Sequence, residues 1–264
     1  MAAGINEGDK GRHLMTYHPL GWTSSSRYFH NDEWLDFNML QSGHARKNFD
    51  NYRMIEEDYA LVPSKPCMDG EPCYEGHPVD WNPDNGFFDD QDARQAAYWA
   101  LLAGAHGHTY GCQHIWQVYT PGKESDKNWL IFWREALNLP GAWGMLYMRN
   151  LFESRPFYLL VPDQSIIKGG AGEGEDHIRA ARASDGSFAF IYIPTGKPVQ
   201  VDGSKLSGSS IRAWWYNPRE GSAALIGIYS RKNELKFNPP SSGRGCDWVL
   251  VLDDASKNYS MPGR

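Results

Sequence analysis

Two rhythms of apolar and polar positions divide this chain. Up to about residue 154, short apolar runs that stop at polar residues alternate with stretches whose apolar residues recur every three or four positions. His13–Pro19 (HLMTYHP) predicts a short strand ending at His18-Pro19, and Phe37–His44 (FNMLQSGH) a second ending in Gln41, Ser42 and His44. Between Ala45 and Leu61, the residues Phe49, Tyr52, Ile55 and Tyr59 are spaced as on one face of a helix. Lys65–Glu71 predicts a third strand, Asp89–Gly104 a strong helix capped by Asp89 or Asp90, and His108–Trp116 (HTYGCQHIW) a fourth strand. Trp129–Glu153 reads as a helical return punctuated at Pro140-Gly141. Gly21–Trp34 reads as a loop, and so does Pro72–Phe88; loops as long as the latter are usually functional or mobile. Strands alternating with helices predict a parallel sheet with covering helices, with about four strands where a closed barrel of this type needs eight.

Near Ser154 the rhythm changes. Phe157–Val161, Ile178–Arg182, Phe188–Ile193, Val199–Val201, Ile211–Tyr216, Ala223–Tyr229 and Trp248–Leu252 are short strand candidates. Turn signals at Asp185-Gly186, Thr195-Gly196, Asp202-Gly203 and Asn217-Pro218 separate them. This spacing predicts an antiparallel β-sandwich. The expected organisation is therefore an α/β unit over residues 1–155 followed by an all-β unit over 156–264.

Composition narrows the partners. The formal net charge of -6 leaves no basic stripe to meet a phosphate backbone, which argues against nucleic acid. With 11 Trp and 14 Tyr, the chain has aromatic rings to spare for stacking on sugar faces. No apolar run approaches the length of a membrane span. Met1–Gly11 is polar and Gly-rich, without the apolar core of a secretory leader. Cys67, Cys73, Cys112 and Cys246 show no zinc-type spacing and are expected to be free thiols.

The most informative stretch is Lys65–Gly76, KPCMDGEPCYEG. Pro66 opens a strand, Cys67 and Met68 are apolar, Asp69 and Gly70 break the pattern, and Glu71 is held extended by Pro72. In a parallel α/β barrel the residue at the C-terminal end of a strand faces the active site, and a carboxylate there, near aromatics, suits glycosidic bond cleavage. His106-Gly-His108 has the spacing of a metal-binding pair, but both residues precede their predicted strand and so fall at the opposite, stability face. Gly169–Gly174 has no helix after it and is expected to be a flexible turn rather than a phosphate cradle. No metal or other cofactor is expected.

The segments Thr16–Ser25 (TYHPLGWTSS), Trp34–His44 (WLDFNMLQSGH), KPCMDGEPCYEG and Tyr98–Trp116 (YWALLAGAHGHTYGCQHIW) resemble, in this order, the C-terminal half of an apiosidase-like glycoside hydrolase barrel, the group containing glycoside hydrolase family 140. The region from Phe157 resembles the β-sandwich that follows such barrels and is labelled a collagen-binding domain; together the likeness covers roughly residues 13–255. The resemblance implies that the four predicted strands are barrel strands five to eight and that Glu71 is the nucleophile of a retaining glycosidase. His18, Gln41 and His44 would ring the sugar pocket, Tyr74 would donate to Glu71, and His114 and Trp116 would close strand eight, Trp116 as a floor for a sugar ring. Glu75 would bond a sugar hydroxyl or orient Glu71, with Asp69 an orienter or a cap. The family's acid/base is an Asp on strand four, upstream of His13; Asp9 sits in a polar, Gly-flanked run with no strand before it. The expectation is a truncated chain, poorly active alone and prone to self-association through its open barrel edge. The implied substrates are pectic or related glycans, and the implied location is secreted or periplasmic. The alternative is a non-catalytic carbohydrate- or matrix-binding module using Trp214, Trp215 and Tyr216.

Overall fold

The computed structural model describes residues 1–122 and 127–264. The first half contains helices α1 (Ala2–Asp9), α2 (Ser26–Phe29), α3 (Asn51–Tyr59), α4 (Asp90–Leu102), α5 (Gln113–Trp116), α6 (Trp133–Ala136) and α7 (Pro140–Glu153). They surround a small sheet of β1 (Thr23–Ser24), β2 (Asn38–Gln41), β3 (Cys67–Asp69) and β4 (Gly107–His108), in that order. β2, β3 and β4 are parallel, so this half is part of a barrel.

The two faces of this sheet are chemically distinct. Asn38, Leu40, Cys67 and Asp69 are buried, and the Cys67 thiol reaches the carbonyls of Ile55 and Gly104, so they face the covering helices. The alternate residues Met39, Gln41 and Met68 are half-buried on the opposite, inner face. α4 forms where the sequence predicts it, because Asp89 and Asp92 complete a reciprocal capping box at its start.

Three details of the first half differ from expectation. His13–Pro19 is not a ladder strand; the Asp36 carboxylate takes the Met15 N–H at 2.6 Å, and Pro19 has no N–H to give. The neighbour of β2 on that side is instead β1, paired antiparallel through Thr23–Gln41 and Ser24–Leu40. The fourth parallel strand stops at His108, and after an isolated bridge between Cys112 and Glu75 the chain turns into α5. His114 and Trp116 therefore lie on a helix, not at a strand end.

The second half is a β-sandwich. Its strands are β5 (Leu160–Pro162), β6 (Ile167–Gly169), β7 (Arg179–Ala183), β8 (Phe188–Ile193), β9 (Val199–Val201), β10 (Ser210–Asn217), β11 (Ser222–Ser230), β12 (Leu235–Phe237) and β13 (Trp248–Asp254). They make an antiparallel sheet in the order β11-β10-β13-β8-β7-β5 and a smaller antiparallel sheet in the order β12-β9-β6. β8 shows why the larger sheet is apolar on both sides. Ala189, Ile191 and Ile193 pack toward the small sheet, whereas Phe188, Phe190 and Tyr192 join a core with α4 and α7. Tyr98 of α4 stacks on Tyr192 with ring centroids 4.6 Å apart.

The same packing removes a proposed glycan platform. Trp215 and Tyr216 are buried, Trp215 against the small sheet and Tyr216 against the first half, and Trp214 packs beside Tyr216. These rings are core, as their positions on a strand covered on both faces require. Among the described residues no helix is long and apolar enough to cross a membrane.

Candidate active site

At the C-terminal end of the parallel strands, β3 hands the chain to Gly70 and Glu71. The Glu71 carboxylate accepts from Gln41 Nε2 at 2.9 Å and lies 3.2 Å from His44 Nε2 on the same oxygen, Oε1. Its other oxygen, Oε2, is 3.3 Å from His18 Nε2. Gln41 reaches it because it ends β2 on the inner face. His18 reaches it although its segment forms no ladder strand, so position rather than regular structure brings it in.

The protonation state of His44 follows from its neighbours. The Tyr74 backbone N–H donates to His44 Nδ1 at 3.3 Å, so the proton of the neutral ring sits on Nε2 and points at Glu71. Burial, with the nearby His77, pushes the His44 pKa down to about 3, which keeps it neutral at working pH. His77 stacks on it at 4.2 Å and donates from Nδ1 to the Pro78 carbonyl at 2.7 Å. Burial raises the Glu71 pKa, and the positive potential of His18 opposes the rise. Burial also pushes the Tyr74 phenol up to about 12, so it remains a donor.

Beneath this cluster, on the helix side, Asp69 accepts from the Ser42 hydroxyl at 2.6 Å and the Asn51 amide at 3.0 Å. It pins the turn that carries His44, and the Glu71 backbone N–H is among the donors to its carboxylate. Burial outweighs these bonds and raises its pKa to about 6.

A groove of about 310 Å³ opens over Glu71, lined by His44, Tyr74, His77, Trp81, Gln113 and Trp116 among others. Trp81 and Trp116 are largely exposed and line it. Among the described residues that line it, Glu71 is the carboxylate. His77, Trp81 and Gln113 are additions to the expected set. For His77 and Trp81 the signal was the length of the Pro72–Phe88 loop, which has no periodicity to single out particular side chains; Gln113 lies at the start of α5, in a stretch whose sequence reads as a strand.

Two expected substrate ligands face elsewhere. Glu75 is buried; it accepts from Tyr110 Oη at 2.5 Å and from the Gly141 N–H at 3.2 and 3.1 Å. Gly141 is in the first turn of α7, so Glu75 serves the positive end of that helix. A side chain on Gly141 would begin 2.2 Å from the Glu75 carboxylate, which explains the glycine. His114 is buried with its Nδ1 accepting from Ile131 N–H at 3.4 Å, and its Nε2 abuts Gly76, where φ is +76° and a Cβ would lie 2.3 Å away. It is packing rather than pocket. Asp9 bonds His13 and the Arg12 N–H at the end of α1.

His106 donates from Nδ1 to the Cys67 carbonyl at 2.9 Å, and His108 is half-buried at the end of β4, opposite Asp69 in the ladder. Among the described residues no three His, Cys, Asp or Glu side chains gather as a metal set would. The cysteines are free, and burial raises the Cys67 thiol to about 12.

Comparison with known proteins places this geometry. Residues 1–159 match the family described as "Apiosidase-like, catalytic domain", and residues 161–253 match "Putative collagen-binding domain of a collagenase". A solved glycoside hydrolase superposes with a TM-score of 0.92 at 40% identity over 98% of this chain. A crystal structure of a glycoside hydrolase family 5 protein from Bacteroides vulgatus does so with a TM-score of 0.92 at 39% identity, again over 98% of this chain. The chain spans 61% and 58% of the lengths of those two proteins. No curated protein matches it. With parallel strands that end on a cradled carboxylate, and a sandwich packed behind them, the chain belongs to the apiosidase-like glycoside hydrolase family, as a partial catalytic domain followed by the collagen-binding-type β domain.

Proposed function

We propose that Glu71 is the nucleophile of a retaining glycoside hydrolase acting on pectic or related plant cell-wall glycans. The observation that carries this reading is the cradle itself: an ionisable carboxylate at a strand C-terminus, fixed by Gln41, His44 and His18, beneath a groove walled by Trp81 and Trp116. Gln41 and the Nε2–H of His44 bind one oxygen, which leaves the other less engaged and able to attack an anomeric carbon. Exposed indole rings at a groove suit the apolar faces of sugars. The pectic class is what the resemblance to the apiosidase-like family implies.

A retaining reaction needs a second carboxyl group about 5–5.5 Å from the nucleophile to protonate the leaving oxygen. Glu75 is committed to Gly141 and Tyr110, and Asp69 to the helix side of β3. The proton donor is thus a group outside this groove, which the resemblance assigns to an Asp on barrel strand four. This chain alone should cleave unactivated glycosides poorly, since acid assistance is worth about 10²–10⁴-fold. The test compares dinitrophenyl glycosides, whose leaving group needs no proton, with pectic oligosaccharides. Release of dinitrophenol that vanishes in Glu71→Gln, with little turnover of the oligosaccharides, is expected. Dinitrophenol release that survives in Glu71→Gln would remove Glu71 from the role.

A further inference from the structure

The groove over Glu71 continues past its own walls. His77, Trp81 and Gln113 also line a second cavity of about 220 Å³, whose further walls include Pro83 and Trp129. These three side chains form a seam between two adjoining chambers, one over the nucleophile and one beyond it. The first chamber, about 310 Å³, is near the lower end of the range for ligand sites, and the second adds room for a further unit. Trp129 is half-buried and held by two neighbours, Phe87 at 5.3 Å between ring centroids and His114 edge-on at 6.2 Å.

The seam carries polar groups that the protein leaves open. His77 and Gln113 are each only 5% exposed. His77 Nδ1 gives its proton to the Pro78 carbonyl at 2.7 Å, so Nε2 keeps its lone pair and can only accept. Burial, with the charge of Lys127, lowers the His77 pKa and keeps that lone pair free. Among the described residues, neither His77 Nε2 nor the Gln113 side-chain amide has a hydrogen-bond partner, and neither is sealed from solvent. The His77 ring stacks on His44 at 4.2 Å with 20° between planes, and His44 donates to Glu71. One imidazole layer therefore separates this acceptor from the nucleophile's own donor. An acceptor nitrogen beside an amide, which both gives and takes, matches the hydroxyls of a sugar, whereas the lone pair of Nε2 would repel an anion.

We propose that the second chamber binds the sugar unit adjoining the one attacked by Glu71, with Trp129 stacking on that unit and His77 Nε2 and the Gln113 amide selecting its hydroxyls. The proposal rests on the reading of Glu71 as nucleophile and names residues that set the specificity of that site. The substrate it implies is a disaccharide or longer.

The test uses the whole chain with Glu71→Gln, which prevents turnover. It is titrated calorimetrically with galactose, arabinose, xylose and galacturonic acid, and with the di- and trisaccharides of each. At least one disaccharide is expected to bind about tenfold or more tightly than its monosaccharide, a gain that one stacked ring and a hydrogen bond supply. Adding Trp129→Ala should bring that ratio close to one. His77→Phe, which keeps an aromatic ring on His44 but has no acceptor, and Gln113→Leu should each lower the ratio several-fold. A merely structural role would weaken mono- and disaccharide alike and leave the ratio unchanged; circular dichroism checks that each variant is folded. No binding, no gain from the second sugar, or a gain that persists in Trp129→Ala and His77→Phe would overturn the proposal. Covalent labelling of Glu71 in the unsubstituted chain is read separately. A label without the second-sugar gain removes the second chamber alone, and the gain without a label removes the nucleophile alone.

Discussion

The arrangement around Glu71 depends on where single protons sit. Tyr74 N–H fixes the acceptor nitrogen of His44, and that choice makes the other nitrogen a donor to Glu71. Truncation by His44→Ala should slow covalent labelling of Glu71 about 10²-fold, the cost of losing orientation at a reacting group, as read by single-turnover mass spectrometry. Burial raises the Glu71 pKa and His18 restrains the rise, so His18→Ala should move the acidic limb of the labelling rate to higher pH. Asp69 gives a stability effect of known sign. Its pKa rises to about 6 on folding, so the folded chain holds a proton the unfolded chain has released between about pH 4 and 6. The stabilisation is complete below the unfolded value and is lost as pH rises through about 6. That difference between the folded and unfolded carboxyl corresponds to roughly 3 kcal/mol. Melting curves from pH 4 to 8 should show this downward slope weakened in Asp69→Asn. Residue identity made Glu71 legible, because Cys-Met-Asp-Gly-Glu-Pro marks a strand that stops at a carboxylate. Side-chain direction past the strand end was not legible. Glu75 looked like a site residue until Gly141 drew it to a helix terminus.

At the scale of elements, α4 is the hinge pin of the structure. The sequence marked its start by a cap at Asp89 or Asp90, the structure adds Asp92 to complete a capping box, and the helix presents Arg94 to the β half. Arg94 pairs with Asp247 through Nε at 3.0 Å and Nη2 at 3.1 Å, with both side chains essentially buried. Asp247 also accepts from Tyr192 Oη at 3.1 Å. Removing Asp247 leaves the buried Arg94 guanidinium with Asp90 as its remaining carboxylate partner, so Asp247→Ala should cost about 3 kcal/mol in chemical denaturation, the lower end for breaking a buried pair. A loss below about 1 kcal/mol would show that water reaches the pair. Arg155 and Asp253 make a second such bridge at 2.8 Å. Neither pair was visible beforehand, because each joins residues about a hundred or more positions apart. The short strands β6 and β12 escaped notice for a related reason. Three residues carry too little periodicity to stand out, and both exist because β9 offers them an edge.

On the scale of the molecule, the two rhythms of the sequence became two layers of one object. Tyr98, Trp99, Phe188, Tyr192 and Val251 share a core that crosses the junction. Heating should therefore give a single calorimetric transition, whereas two resolved peaks would mean that the halves unfold independently. The part-barrel also has an apolar flank. Leu14, Tyr17, Leu20, Trp22 and Tyr28 are exposed near the β1 side. Patches of this kind promote association. Light scattering should show mass rising with concentration, and Leu14→Glu with Leu20→Glu should suppress the rise.

The most direct test of the central claim is to incubate the chain with 2,4-dinitrophenyl 2-deoxy-2-fluoroglycosides and map the adduct by peptide mass spectrometry. The fluorine slows release of a glycosyl-enzyme, and the activated leaving group removes the need for a proton donor. A panel of xylosyl, glucosyl and arabinofuranosyl reagents covers the unknown sugar. One glycosyl adduct on the peptide containing Glu71, absent in Glu71→Gln, is the result this account predicts; an adduct on another carboxylate, or labelling that persists in Glu71→Gln, would contradict it.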